Sequence, residues 1–394
     1  MSAVDDVAAA AAGIAGFPPA FSTGEFDRRL GGVRRAMEEQ GLELLLLFTP
    51  ENVTYLTGYE TIGYSSFLCL MVPLEDEPQL VIRDMELEVA AATTWLTRFV
   101  TVGDTDDAIA TTAAAVGRLA PTGGRIGVEE TSPFLTARRW RRLTEQLGST
   151  VDGSGLVERM RRIKSDEELA LIRDACGLAV DGMAAAVAAT AVGETENAVA
   201  AAAFAAMVGG GSDFLAADPI VTSGPRASVA HTTFANRRVV DGDAVLIELG
   251  ACRRRYFGAL MRTVAVGAGP ARLPELALAL DEALDAAVAA IAPGRTCGDV
   301  DRACRERIEA AGLGNWFRKR TGYSVGVAFA PDWGEGHIVS LRAGDETPLE
   351  PGMTFHIPPA VRLPGETVYG VSETVVVTAD GCEVLTAFDR ELRR

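Results

Sequence analysis

Between Val157 and Arg173 the chain changes character, and this stretch constrains the fold more than any other. Val157-Glu158-Arg159-Met160-Arg161-Arg162-Ile163-Lys164-Ser165 runs into Asp166-Glu167-Glu168-Leu169-Ala170-Leu171-Ile172-Arg173. Ser165 followed by Glu168 is the signature of a capping box, in which a hydroxyl and a carboxylate satisfy each other's backbone donors at a helix start. Upstream, Phe26 to Gln40 shows a helical period (Leu30, Val33, Met37), and Leu44 to Phe48 is a continuous apolar run. Phe67 to Val72, Gln79 to Ile82 and Gly124 to Val128 read as further strands. Strands alternating with helices predict an α/β domain over residues 23–162, after a loosely docked lead-in over 1–22. Downstream, over 163–394, the pattern predicts two Ala-rich helices (166–190 and 194–208), a strand region (218–267), a helix pair (273–292 and 297–312) and a strand-rich end (321–388).

Length and composition agree with two domains: 394 residues, 48% hydrophobic and 23% charged, bury a core and are not those of a disordered chain. The formal charge of −17 argues against nucleic acid or an anionic membrane as partner, because phosphate binding needs clustered Lys and Arg. The six cysteines form no CxxC pair, which points to a reduced, cytoplasmic compartment. Met1 to Ala20 has no basic segment of the kind that opens a signal peptide, and no run is apolar enough to span a membrane. Val208-Gly209-Gly210-Gly211-Ser212 is a flexible loop and not a phosphate cradle, since no Lys-Ser/Thr follows.

Only three histidines are present, His231, His337 and His356, and histidine is the side chain that titrates near neutral pH unperturbed. His231 ends a turn-rich approach from Ser223 and is either a loop histidine or a proton carrier. Glu248 closes the apolar run Ala244-Val245-Leu246-Ile247, so it reaches a buried face and needs a partner. That partner is Arg262 or another arginine, or else a cationic substrate or a water. Glu373, before Thr374-Val375-Val376-Val377, reads likewise. Tyr323 is a packed ring or a hydrogen-bond donor. His337 lies in the loop Pro331-Asp332-Trp333-Gly334-Glu335-Gly336-His337, solvated or in contact with substrate. Arg342 is a surface arginine or a bidentate clamp for a carboxylate. His356 is pocket wall or core. Tyr59, Tyr64 and Phe67, taken alone, read as core aromatics.

Several landmarks together resemble the pita-bread metallopeptidase family, which includes creatinase, Xaa-Pro dipeptidase and methionine aminopeptidase. They are Arg161-x-x-Lys164-Ser165, Asn52-Val53-Thr54-Tyr55-Leu56-Thr57-Gly58, Val245 to Gly250, Arg262-Thr263, Gly322 to Gly326, Leu349 to Met353 and Ser372-Glu373-Thr374. The resemblance implies an N-terminal creatinase/prolidase-like α/β domain followed by a pita-bread catalytic domain. It places the family's metal ligands, two Asp, one His and two Glu, on Glu248, Ala259, Tyr323, Pro358 and Glu373. That donor set is too poor for a dinuclear centre, so no metal and no other cofactor is expected. The pattern resembles the metal-free branch, creatinase and ectoine hydrolase.

That branch implies hydrolysis of a C–N bond in a small amidine or guanidine zwitterion, foremost the ring opening of ectoine to an N-acetylated 2,4-diaminobutyrate. His231 would be the general acid/base, Glu248 and Glu373 the carboxylates, and Tyr323, His337, Arg342, His356 and Trp333 the substrate contacts. Tyr59, Tyr64 and Phe67 would form a mobile aromatic lip that closes the neighbouring site of a homodimer. Creatine itself is disfavoured, because the two glutamates that grip its guanidinium fall on Met261 and Pro358. The rivals are a non-catalytic pita-bread module that binds protein, and a divergent creatinase-like or Xaa-Pro dipeptidase-like enzyme with another substrate.

Overall fold

In the computed structural model, residues 3–391 are described, except 13, 15, 121 and 122. The chain divides into two compact units, residues 1–161 and 162–394. The first holds helices α1 (Ala3–Ala12), α2 (Thr23–Gln40), α3 (Pro50–Thr57), α4 (Leu87–Thr93), α5 (Ala108–Leu119), α6 (Ala137–Leu147) and α7 (Leu156–Arg161). Its strands are β1 (Leu44–Leu47), β2 (Cys69–Pro73), β3 (Gln79–Arg83), β4 (Phe99–Val102), β5 (Ile126–Val128) and β6 (Thr150–Asp152), in the order β4-β3-β2-β1-β5-β6. The four leucines of β1 are all buried, and β1 lies between an antiparallel and a parallel neighbour. An interior strand covered on both faces reads as an unbroken apolar run. Helix α2 starts at a Ser22 cap and stops at Gly41, whose φ of 64° is left-handed.

Two expectations change here. The lead-in is not a loose tail: α1 forms and packs against α4, with Ala11 buried. Met1, Ser2, Gly13 and Ala15 of that segment lie outside the described residues. Nor do Tyr59 and Phe67 stand out as a lip. Tyr59 is buried and donates to Glu86 at 2.8 Å, while Phe67 packs edge-on to Phe48 in the core of this unit. Tyr64 is half-buried against Phe134. The segment before them is held from inside: buried Asn52 donates to Glu129 and Glu158 and accepts from Arg161.

In the second unit, α8 (Asp166–Ala189) opens with the Ser165–Glu168 capping box. With α9 (Glu196–Gly209) it backs the antiparallel sheet β7 (Ile220–Ser223), β8 (Ala244–Arg253) and β9 (Tyr256–Ala265). Helices α10 (Leu273–Ala289) and α11 (Cys297–Ala310) share a core with a second sheet. That sheet is built from β10 (Gly322–Ser324), β11 (Ser340–Leu341), β12 (Thr354–Ile357), β15 (Glu373–Val377) and β16 (Cys382–Val384), in the order β11-β10-β12-β15-β16. Between β12 and β15 lies the hairpin β13 (Ala360–Leu363) and β14 (Thr367–Gly370). The two sheets are stitched where β9 meets β15: Met261 N donates to Ser372 Oγ at 2.6 Å, and Thr374 Oγ1 donates to Ala259 O at 2.8 Å. None of the described helices is long and apolar enough to cross a membrane.

Helix α8 lies so close to β9 that Gly258 has no room for a side chain: a Cβ there would sit 2.5 Å from Cys176 N. The obstacle is helix backbone, which cannot swing aside. Gly258→Ala is therefore expected to destabilise the protein by about 1–3 kcal/mol, the usual cost of overpacking. Urea denaturation checks this, and an unchanged midpoint would show that the helix can shift.

Candidate active site

Strand parity decides which polar residues meet. Cross-strand partners share a face, and successive residues alternate. In the first sheet Glu248 pairs with Met261 and Ile247 with Arg262, so Glu248 and Arg262 project to opposite faces. In the second, His356 pairs with both Tyr323 and Thr374, whereas Glu373 pairs with Ile357 on the other face. Glu248, His356, Tyr323 and Thr374 therefore turn to one side, and Arg262 and Glu373 to the helix-backed side.

His356 is fully buried, and its Nε2 stands 3.8 Å from Glu248 Oε1. Its Nδ1 is 3.3 Å from Thr374 Oγ1, whose own proton goes to Ala259 O. That hydroxyl can only accept from the ring, so Nδ1 carries the proton and Nε2 carries a lone pair. Nε2 has no hydrogen-bond partner although it is buried. Burial holds His356 below its ordinary pKa against the pull of Glu248, so it is neutral at pH 7. Burial works to raise Glu248, but His356, Lys319 and Arg362 outweigh it and hold the carboxyl below its usual range, ionised. With the ring proton assigned to Nδ1, Nε2 and the Glu248 carboxylate face each other as two acceptors.

The rest of the lining is cationic and aromatic. Lys319 is exposed and the Glu248 side chain keeps 14% of its surface, so the site is a recess open to solvent and not a dry core. Desolvation lowers its ammonium to about 8, opposed by Glu248 and reinforced by Arg362 and Arg320. Trp333 Nε1 donates to Tyr323 Oη at 2.9 Å, which leaves the phenol proton free to be donated. Burial and Glu248 push that phenol far above its ordinary pKa, so it stays neutral. The loop carrying Trp333 is anchored by Glu335, ion-paired at 2.7 Å to Lys164, both side chains 1% exposed.

The other candidates lie elsewhere. Glu373 does not join Glu248: it is locked to Arg262 at 2.8 Å and accepts from Thr386 at 2.9 Å. Arg342 is exposed and donates to Asp345 within its own turn, so the carboxylate-clamp reading loses its support. His337 is exposed on the loop after Glu335. His231 sits on an exposed turn with a left-handed φ of 57°, and no hydrogen bond links it to Glu248 or His356 among the described residues. Lys319 and Arg362 escaped the sequence reading. Within Arg318-Lys319-Arg320 the lysine reads as part of a solvated charge run, and Arg362 as one arginine on a hairpin.

The residues present do not fit a dinuclear metal centre. Around Glu248 the positions implied as ligands hold Ala259, Pro358 and Tyr323, and Lys319 and Arg362 would repel a cation. Among the described residues no group of three or more His, Cys, Asp or Glu side chains is arranged to hold a metal ion.

Residues 170–379 match the model of metallopeptidase family M24, and residues 29–163 match that of the creatinase/prolidase N-terminal domain. An uncharacterized hydrolase/peptidase of Sinorhizobium fredii is 33% identical, over 94% of this chain and 98% of its own. The ectoine hydrolase of Halomonas elongata is 28% identical, over 94% of this chain and 98% of its own. The dipeptidase PepE of Mycobacterium ulcerans superposes with a TM-score of 0.80 at 28% identity, covering 95% of this chain and 98% of that one.

The placement of Glu373 has a measurable consequence. Removing one partner of a buried ion pair typically costs about 3–5 kcal/mol, because the other charge is left uncompensated. Glu373→Gln is expected to lower the unfolding free energy by that order through Arg262, while Glu248→Gln leaves it near wild type. Equal stability of Glu373→Gln and wild type in calorimetry would return Glu373 to the list of catalytic groups.

Proposed function

Starting from a chain that belongs to metallopeptidase family M24 and is a hydrolase of that family, we propose that it hydrolyses a C–N bond in a small amidine or guanidine zwitterion without a metal ion, with ectoine as the leading substrate. One observation carries this reading: the Glu248 carboxylate and the buried, partnerless Nε2 of His356 face each other at 3.8 Å. Two convergent acceptors without a proton call for a ligand that brings its own N–H donors. An amidinium presents such donors in one plane, and its central carbon is electrophilic.

In the proposed reaction a water gives up a proton to Glu248 or His356 as its oxygen bonds to the amidine carbon. The tetrahedral carbon then expels one ring nitrogen, which takes up a proton and leaves as an amine, and the oxygen becomes the carbonyl of the new acetamide. Tyr323 donates its free phenol proton to the developing oxyanion. His231 is proposed as a supplementary proton source for the leaving nitrogen.

A dipeptidase reading draws on the likeness to the Mycobacterium ulcerans structure. It would require a peptide bond to be attacked by water at a site whose donor set does not fit metal. A binding module has no need of the Glu248–His356 pair.

Proton NMR of the protein incubated with ectoine, with and without EDTA, separates these readings. Ring opening that persists in EDTA is expected. Cleavage of Xaa-Pro dipeptides abolished by EDTA would overturn the proposal. Glu248→Gln is expected to lower kcat by about a hundredfold or more, the usual scale of acid–base catalysis. A loss below about tenfold in His231→Ala would remove His231 from proton transfer.

A further inference from the structure

Two cations of the recess are unpaired, in a chain whose formal charge is −17. The Lys319 ammonium makes no hydrogen bond and no ion pair among the described residues. Neither does the Arg362 guanidinium, whose Nε is buried with nothing to donate to. Both lie within electrostatic range of Glu248 and of each other. Glu248 is too far from either for an ion pair, and Arg320, over the Tyr323 ring, adds further positive charge beside Lys319. A buried guanidinium N–H with nothing to donate to is costly, and a bound anion removes that cost, with the solvent-facing Lys319 adding a second positive charge beside it.

Lysine is itself rare here: Lys164 and Lys319 are the only two in the sequence. Lys164 is closed off in its ion pair with Glu335, so Lys319 is the one lysine that meets solvent.

We propose that Lys319 and Arg362 together form the seat for a carboxylate of the substrate, across the recess from Glu248 and His356. The site then reads two ends of one small molecule: an N–H-bearing cationic group at the Glu248–His356 pair and an anionic group at Lys319 and Arg362. Neutral analogues of the same shape are disfavoured because they leave the buried Arg362 Nε without an anionic partner. This rests on the reading that Glu248 and His356 face the reacting C–N centre, and it gives the carboxylate recognition to Lys319 and Arg362 in place of Arg342.

The two-lysine sequence makes the test direct. Acetylation by an amine-selective reagent, followed by peptide mass spectrometry, is expected to modify Lys319 and spare Lys164. Acetate and ectoine should each slow acetylation of Lys319, and the carboxamide of ectoine should not. Modification that ectoine leaves unchanged, while ectoine is still hydrolysed, overturns the carboxylate seat and leaves the proposed function standing. Should ectoine be neither bound nor hydrolysed, the acetate arm still decides: slowing supports the seat for another carboxylate, and no slowing overturns it.

In kinetics, Lys319→Gln and Arg362→Gln are each expected to raise KM about ten- to a hundredfold, the scale of a charge-assisted hydrogen bond, with kcat changed less than about threefold. Lys319→Arg should restore most of the loss. Desolvation, reinforced by Arg362 and Arg320 and opposed by Glu248 and Cys304, lowers the Lys319 ammonium to about 8, so KM of the wild type should rise as pH passes upward through that value. Lys319→Arg should remove the rise, and a KM unmoved in Lys319→Gln would overturn the proposal.

Discussion

The second unit is organised around Arg262. Its guanidinium donates to Glu373 at 2.8 Å, to Ser372 O and Met261 O, and to Phe388 O and Asp389 O. A single side chain therefore ties β9 to β15 and fastens the C-terminal segment over both. Burial lowers the guanidinium pKa while Glu373 supports it, the balance expected of a charge kept indoors by one good partner and several carbonyls. The junction it fixes has the active-site candidates on its other side. Ser372 and Thr374, flanking Glu373, bond to the β9 backbone at Met261 and Ala259, and Thr374 then sets the tautomer of His356. If the junction slipped by one residue, Glu373 would turn toward the recess and Thr374 away from it.

The recess itself is a problem of charge left deliberately open. Glu248 and His356 offer two acceptors and no proton, and Lys319 and Arg362 offer cations without counter-ions. A folded protein tolerates such arrangements where a ligand completes them, since isolated buried charge and unpaired buried nitrogen both cost free energy. The same fold in a metallopeptidase context would collect carboxylates and imidazole around metal ions. Here alanine, proline and tyrosine occupy three of those positions, and positive charge comes from side chains instead. Side-chain cations with fixed donor directions favour recognition of a planar anion such as carboxylate.

Much of the fold is legible from residue order. The Ser165–Glu168 capping box forms as its spacing implies, the four leucines of β1 are the buried central strand, and the helices at 166–189, 196–209, 273–289 and 297–310 fall near their expected spans. These features depend on neighbours within a few turns or on apolar periodicity, which a sequence carries directly. Glu248 could also be singled out, because a carboxylate ending an apolar strand must face something. The role of Glu373 could not be read this way. Its residue type and its strand match those of Glu248, and only the register of two separate sheets shows that the two glutamates point to opposite faces.

The sequence by itself determined the two-part architecture, the helix starts and the poverty of metal ligands, since each follows from local pattern or from which residue types are present. The tertiary structure alone decided which charges meet. Lys319 precedes β10, Arg362 belongs to a hairpin, and Glu248 and His356 come from different sheets. Electrostatic energy depends on distance and on surrounding solvent, and neither quantity is encoded by separation along the chain.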